Sequence, residues 1–130
     1  MADDFALVRE WLEVLPEGRF DEFPGQIAED FVLRLPFPPP GVPAEFSGRD
    51  HVQTVMQKTA QGRGPLVFHD VQTLRTEDPH LFVTTCKGEA LMNNGKTYRN
   101  SYVILTRIEN GVLLEHIEYL NPLAVMESWD

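Results

Sequence analysis

Groups that would commit this chain to redox, metal or phosphate chemistry are scarce in its sequence. The single cysteine, Cys86, excludes a disulfide within the chain, and no paired-cysteine zinc spacing is present. A glycine-rich phosphate loop and an activated serine or cysteine nucleophile motif are also missing. The four histidines show no metal-ligand spacing. We therefore expect neither a metal nor a cofactor.

Positive charge is also in short supply, with 11 basic against 20 acidic residues and a net charge of −9. The phosphates of nucleic acids and of anionic membranes would repel such a chain, so we expect neither as a partner. No apolar run approaches membrane-spanning length. Residues 1–4 lack the basic region and apolar run of a signal peptide. The default expectation is a cytoplasmic protein.

The 130 residues, 42% of them apolar, predict one domain over residues 1–130 with a substantial core. Apolar periodicity and turn signals predict helices first and a run of strands afterwards. The predicted helices are 3–15, 20–30, 51–61 and a short terminal one at 122–130; the predicted strands are 31–37, 66–77, 80–92, 98–108 and 112–120. The proline-rich segment 38–43 predicts a rigid connector or a pocket lid. Three helices before an antiparallel meander indicate the α+β class.

The last two strands form a predicted hairpin that turns at residues 109–111. Alternate residues of a strand share a face, so His116 and Glu118 lie on one side of the second arm. With a three-residue loop, Tyr102 pairs with Glu118 and Ile104 with His116. With a two-residue loop, Val103 would lie opposite Glu118. The first register gives a face that mixes apolar and polar groups, as in a small-molecule pocket; this face holds Tyr98, Asn100, Tyr102, Ile104, His116, Glu118 and Leu120.

The order of elements resembles the cone-shaped fold of nuclear transport factor 2 and ketosteroid isomerase. Residues 98–122 look like the closing hairpin of the SnoaL-like branch, which reads Y-x-N-x-Y, a turn with Gly, and an E-Y/F-x-N/D-P ending. The helix start F-S-G-R-D-H-V also fits. The resemblance implies a curved antiparallel sheet that packs on three N-terminal helices and encloses a cone-shaped pocket. It covers essentially the whole chain, but the fold hosts several reactions.

Within that branch, the chain is most similar to the phenazine-biosynthesis A/B proteins, which place a His early in the third helix and a Glu in the last strand. These positions are His51 and Glu118 here, and the resemblance implies proton donation by the Glu. Those proteins also carry a hydroxyl side chain about one turn after the His. The corresponding position in this chain is near Val55. The basic residues that could hold a carboxylated substrate are few: Arg19, Arg34 and Arg49.

Two other resemblances fit less well. Ketosteroid isomerase has its general base in the first strand, where residues 33–37 carry no acid here. Its oxyanion-hole acid would fall near Ile104, so we do not expect steroid isomerisation by that mechanism. SnoaL-type cyclases use an Asp/His pair, and His116 with Glu118 is the nearest substitute.

These residues predict a pocket for an apolar, aromatic or polyketide-like molecule and cofactor-free isomerisation, cyclisation or dehydration. A carboxyl group in an apolar cavity can exchange protons near neutral pH, because burial disfavours its charged form. Glu118 is the predicted proton carrier, assisted by His116 and His51, with Tyr102 and Asn100 orienting the substrate. The remaining predicted substrate contacts are Tyr98, Ile104, Leu120, Trp11 and His69.

Structural roles compete with each of these assignments. Glu118 could instead pair with an arginine or lie at a sheet edge, His116 could be a packed core histidine, and His51 could face solvent. His69 and Asp70 are adjacent, so opposite faces are expected for them and only one could enter the cavity. The alternative function is a ligand-binding or dimerisation module without catalysis.

The outer face of the hairpin also carries apolar residues. An exposed apolar face calls for a partner, and in the resembling fold it commonly meets a second copy. We therefore expect a homodimer that covers Val103, Leu105, Leu113, Ile117 and Tyr119.

Overall fold

A computed structural model describes residues 3–129. The first helix, α1 (Asp4–Val14), begins where the Asp3 carboxylate accepts a hydrogen bond from the Phe5 amide. Its apolar stripe is buried, as the helical spacing predicts, and a 3-10 turn follows at Phe20–Glu22. The other elements are β1 (Gln26–Arg34), β2 (Glu45–Ser47), α2 (Arg49–Ala60), β3 (Val67–Arg75), β4 (Leu81–Leu91), β5 (Thr97–Glu109), β6 (Val112–Tyr119) and α3 (Pro122–Trp129).

The six strands form one sheet in the order β2-β1-β6-β5-β4-β3. The helices pack on this curved, unclosed sheet, and the core lies between the two layers. The α+β prediction is confirmed. The prediction of a purely antiparallel sheet is wrong, because β1 runs parallel to β6 while the other neighbours are antiparallel.

The prediction of three N-terminal helices is also wrong. Residues 20–30 were predicted as a helix, but only the 3-10 turn forms, and β1 begins at Gln26. Ile27, Phe31 and Leu33 are buried in this strand, and an irregularity in its pairing with β6 separates Ile27 from the other two. The third helix is the terminal one, α3, whose prediction is confirmed up to Trp129; Asp130 lies outside the described residues.

The β5–β6 hairpin has the two-residue-loop register only beside the turn, where Glu109 pairs with Val112 and Ile108 with Leu113; beyond these pairs it has neither of the two predicted registers. Its loop is the two-residue Asn110-Gly111, and both residues have positive φ, which favours asparagine and glycine. A bulge beside Arg107 and Ile108 then restores the predicted facing, so Ile104 pairs with Glu118 and Thr106 with His116. The inner face beyond the bulge is therefore as predicted, although each pairing there lies two residues from the one expected for the three-residue loop.

The same bulge changes the outer face of the hairpin. Leu113 was predicted to face outward, but it is fully buried in the core. Val103 and Tyr119 are exposed as expected, while Leu105 and Ile117 are partly buried. The homodimer stays a prediction.

Candidate active site

A cavity of about 790 Å³ lies between the helices, the sheet and the proline-rich segment. Its wall is almost entirely apolar, as in small-molecule sites. The sheet and the residues directly after α1, β1 and β6 contribute Leu15, Leu33, Leu35, Phe46, Glu118 and Leu120; the loop contributes Pro39 to Pro43; the helices α2 and α3 contribute Val52, Val55, Met56, Lys58, Thr59, Val125, Met126 and Trp129. The proline-rich segment is thus a wall of the cavity.

Glu118 is the one carboxylate on this wall among the described residues. Its side chain is 16% exposed, and its Oε1 lies 3.0 Å from Nε2 of His116. No arginine or lysine of residues 3–129 pairs with it, so the competing assignment of an arginine-paired surface carboxylate does not describe its surroundings. Glu118 combines a buried stem with a carboxyl group that reaches the cavity.

His116 is held from its other side by Trp11. The imidazole is fully buried, and Trp11 Nε1 donates a hydrogen bond to His116 Nδ1 over 2.9 Å. An indole N–H can only donate, so Nδ1 is the accepting nitrogen and Nε2 carries the proton. His116 Nε2–H therefore donates to the Glu118 carboxylate. This chain of two hydrogen bonds fixes the imidazole in one tautomer and fixes Glu118 in one orientation.

The Trp11 indole is itself fully buried in an aromatic cluster. Its ring centroid lies 5.1 Å from that of Phe20, 5.4 Å from that of Phe31 and 5.9 Å from that of Phe23. Trp11 was predicted as a substrate contact, but it does not line the cavity and it touches His116 instead. The Trp11–His116–Glu118 chain thus runs from the core to the cavity wall.

Three of the predicted polar contacts form a separate buried network on the inner face of β5. The hydroxyls of Tyr98 and Tyr102 share a short hydrogen bond, and Asn100 Nδ2 donates to the Tyr98 hydroxyl over 2.9 Å. Asn100 also donates to the carbonyl of Asn121 and accepts from the amide of Asn121. The structure places these residues behind the cavity wall, where Asn100 secures the chain between β6 and α3.

The other predicted site residues are dispersed. Leu120 lines the cavity, whereas Ile104 is fully buried in the core beside Glu118. His51 is exposed at the start of α2 with its ring 6.1 Å from that of Phe46, and His69 is exposed in β3. Neither histidine lines the cavity.

The expectation that His69 and Asp70 must face apart is wrong. The pairing of β3 with β4 shifts between His69 and Gln72, and Asp70 has a positive φ of 52°. This bulge breaks the alternation on which the expectation rested, and it brings His69 Nδ1 to 3.5 Å from Asp70 Oδ2. The pair is exposed and away from the cavity.

Several wall residues were not selected from the sequence. The wall segments 39–43 and 125–129 carry no polar pattern that marks a site, although the proline run was recognised as a lid or connector. Lys58 was also missed. Its one available signal is its place beside the predicted inner stripe of α2, three residues after Val55.

Burial on the inner face changes the acidity of two groups behind Glu118. Burial, and after it the negative charge of Glu118, raise the pKa of Cys86 from 9.0 to about 12. Burial also raises the pKa of Tyr98 from 10.0 to about 12, although hydrogen bonds from Tyr102 and Asn100 act in the opposite direction. Cys86 and Tyr98 therefore keep their protons in the folded protein at pH values at which the same two groups begin to lose them in the unfolded chain.

We expect the free energy of unfolding to fall as the pH rises from about 9 to about 12. The folded-state pKa values of Cys86 and Tyr98 lie above the unfolded values, so their contribution is complete below pH 9.0 and is lost on the way to about 12. Each group contributes a slope of at most about 1.4 kcal/mol per pH unit. Urea unfolding across this range measures the slope. Cys86→Ala should make it shallower, and an unfolding energy independent of pH in the wild-type protein would contradict the expectation.

The architecture and the site define a class: small α+β proteins in which a curved sheet and helices enclose an apolar cavity with a carboxylate on its wall. A model of the SnoaL-like domain matches residues 8–116. An uncharacterized PhzA/B-like protein of Pseudomonas aeruginosa is 30% identical over 99 residues, which are 75% of this chain and 69% of that protein. The chain therefore belongs to the SnoaL-like family, as its closing hairpin predicted.

Solved structures agree on the fold. A proposed isomerase from Bacillus subtilis superposes with a TM-score of 0.84 at 20% identity, over 98% of this chain and 95% of that one. A proposed polyketide cyclase from Xanthomonas campestris superposes with a TM-score of 0.79 at 15% identity, over 98% of this chain and 96% of that one. A phenazine biosynthesis-related protein from Pseudomonas aeruginosa superposes with a TM-score of 0.71 at 17% identity, over 98% of this chain and 89% of that one. At these identities the likeness shows the nuclear transport factor 2-like fold.

Two features are absent from residues 3–129. No helix in this part of the chain is long and apolar enough to cross a membrane. Nor do three or more histidine, cysteine, aspartate or glutamate side chains come together there in a way that could hold a metal ion.

Proposed function

We propose that this protein catalyses a cofactor-free acid/base reaction, an isomerisation, cyclisation or dehydration, on an apolar aromatic or polyketide-like molecule. Glu118 is the proton carrier. The observation that carries the proposal is the Glu118 carboxylate on the wall of an apolar cavity, oriented by a buried histidine whose tautomer is fixed by Trp11. A group held in this way is positioned before the ligand arrives.

The proton passes through the second carboxylate oxygen. Among the described residues, Glu118 receives its hydrogen bond at Oε1, which leaves Oε2 available to a ligand. Oε2 takes a proton from the carbon beside a ligand carbonyl, and the electrons of that C–H bond move into the carbonyl to give an enolate. Return of the proton at another position gives an isomer. In dehydration, the β-hydroxyl group takes the proton back from Glu118 and leaves as water. In cyclisation, the enolate carbon attacks a second carbonyl, and the oxygen of that carbonyl takes the proton from Glu118.

His116 acts through Glu118 and is a positioning residue. Trp11 donates to its Nδ1, so its Nε2–H donates to Oε1 and orients the carboxylate. That hydrogen bond holds the Glu118 carboxylate, the form of the side chain that acts as a base, in one orientation. The likeness to a proposed isomerase and a proposed polyketide cyclase supports the same reaction class.

A non-catalytic ligand-binding module is the second candidate. The first strand and the residue after it present Leu33 and Leu35 to the cavity and no acid, and His51 does not line it, so among the described residues Glu118 has no second carboxylate or histidine on the wall. A single carboxylate could serve to orient a bound molecule without exchanging a proton with it.

Hydrogen–deuterium exchange distinguishes the two candidates without knowledge of the natural substrate. The protein is incubated in D2O with apolar ketones such as 2-tetralone and 1-acetylnaphthalene, with no metal or cofactor added, and loss of the α-proton signals is followed by NMR. Exchange above the buffer rate is expected for at least one ketone. Ligand binding, seen as line broadening, without any exchange would support the binding module and overturn the catalytic proposal.

A further inference from the structure

Almost all the basic side chains of this acidic protein contact an oxygen atom of another residue. Of the 11, all lie within the described residues, and each except Lys58 meets an oxygen acceptor of the protein. Arg9, Arg19, Arg34, Arg49, Arg63, Arg75, Lys87, Arg99 and Arg107 lie within ion-pair distance of a carboxylate, and Lys96 donates to the carbonyl of Glu127. Within residues 3–129, Lys58 alone has neither an ion pair nor a hydrogen bond to its ammonium group.

Lys58 is also the one basic residue on the cavity wall in this part of the chain. It lies in the last turn of α2, next to the wall residue Thr59, and it is exposed where the cavity opens to solvent. A cation near a helix C-terminus is favourable in itself. That effect does not account for its place on an otherwise apolar wall, where Glu118 is the only other charged residue described.

The three arginines that the sequence suggested as contacts for a carboxylated substrate bind carboxylates of the protein itself. Arg19 pairs with Glu22 and donates to the carbonyl of Glu13. Arg34 pairs with Glu45 and Glu115. Arg49 pairs with Asp50 and donates to the carbonyl of Ile27. None of the three lines the cavity, which leaves Lys58 as the group there that can receive an anion.

We propose that Lys58 determines specificity by binding the carboxylate of an amphipathic ligand, an aromatic or polyketide-like acid whose apolar body fills the cavity toward Glu118. This inference rests on the proposed function and deepens it. The net charge of −9 repels an anion at long range, so an acidic ligand requires a local cation. The apolar wall holds the rest of the molecule, and a separate acid-binding group keeps the ligand carboxylate away from the Glu118 carboxylate.

A matched pair of ligands tests the role of Lys58. Binding of anthracene-2-carboxylic acid and of its neutral amide, which has nearly the same shape, is measured by ligand fluorescence at pH 7.5. Wild-type protein should bind the acid roughly tenfold more tightly than the amide, as for a charge-assisted contact at a partly exposed site. The preference should decrease with added salt. Lys58→Met should remove it while leaving the affinity for the amide within about twofold.

The control is Lys87→Met, which makes the same change in net charge on β4, outside the cavity, and should keep the preference. If both variants lost the preference for the acid equally, the inference would be overturned, because the change in net charge would then explain the loss. Equal binding of acid and amide by the wild-type protein would overturn the inference and leave the proposed function intact. Binding of neither compound, together with no ketone exchange, would overturn both.

Discussion

Replacing Glu118 by glutamine is expected to reduce catalysed ketone exchange by about 10²- to 10⁴-fold, the usual contribution of a positioned acid or base. The amide has nearly the same shape as the carboxyl group but cannot take up the proton. The change removes the negative charge of the side chain without adding volume to the cavity, so the fold and the affinity for a neutral ligand should persist. The NMR exchange assay measures the rate, and ligand fluorescence measures the binding.

The matched control is Glu115→Gln on the same strand. Glu115 pairs with Arg34 and does not line the cavity, so its replacement should leave exchange within about threefold, as expected of a surface change. If Glu118→Gln retained wild-type exchange, Glu118 would not be the proton carrier. If both variants lost exchange equally, the loss would reflect the strand and not the cavity carboxylate.

Replacing Trp11 by alanine is expected to lower the free energy of unfolding by about 3–5 kcal/mol, as for other buried aromatic truncations. The indole is fully buried between Phe20, Phe31 and Phe23, and it also donates to His116. Its removal leaves both a cavity and an unpaired ring nitrogen. Urea unfolding of the purified variant measures the change.

Trp11→Phe separates the hydrogen bond from the packing. A phenyl ring keeps most of the buried surface but leaves His116 Nδ1 without its donor, which should cost about 1–3 kcal/mol. The imidazole can then adopt the other tautomer, which removes its hydrogen bond to Glu118, so the pH profile of ketone exchange should change shape. A control such as Phe20→Leu should lower stability and leave that profile unchanged. An unaltered profile in Trp11→Phe would show that Trp11 is only a packing residue.

The late strands and their faces could be predicted because each depends on local sequence. Alternation in β5 and β6 identified the inner face with Tyr98, Tyr102, His116 and Glu118, and the structure keeps these residues together. The pairings themselves could not be predicted. A two-residue loop and a bulge each shift the register by one, and their combination restores the face while moving every partner beyond the bulge by two residues.

The early part of the chain was less predictable. Residues 20–30 contain apolar residues at spacings that suit a helix as well as a strand, and the parallel pairing of β1 with β6 decides in favour of the strand. That pairing joins segments about 85 residues apart in sequence, so nothing local to residues 26–34 reports it.

The sequence by itself determined the α+β class, the order of the late strands and the presence of His116 and Glu118 on one face, because these follow from side-chain alternation and turn residues. The fold family came from the resemblance of the closing hairpin to the SnoaL-like branch. Only the tertiary structure decided which residues enclose the cavity. Trp11 meets His116 across 105 positions, and Lys58, the proline-rich segment and α3 come together on a wall that no local pattern describes. The physical reason is that a cavity wall is formed by packing between distant elements, whereas periodicity records the preference of each element alone.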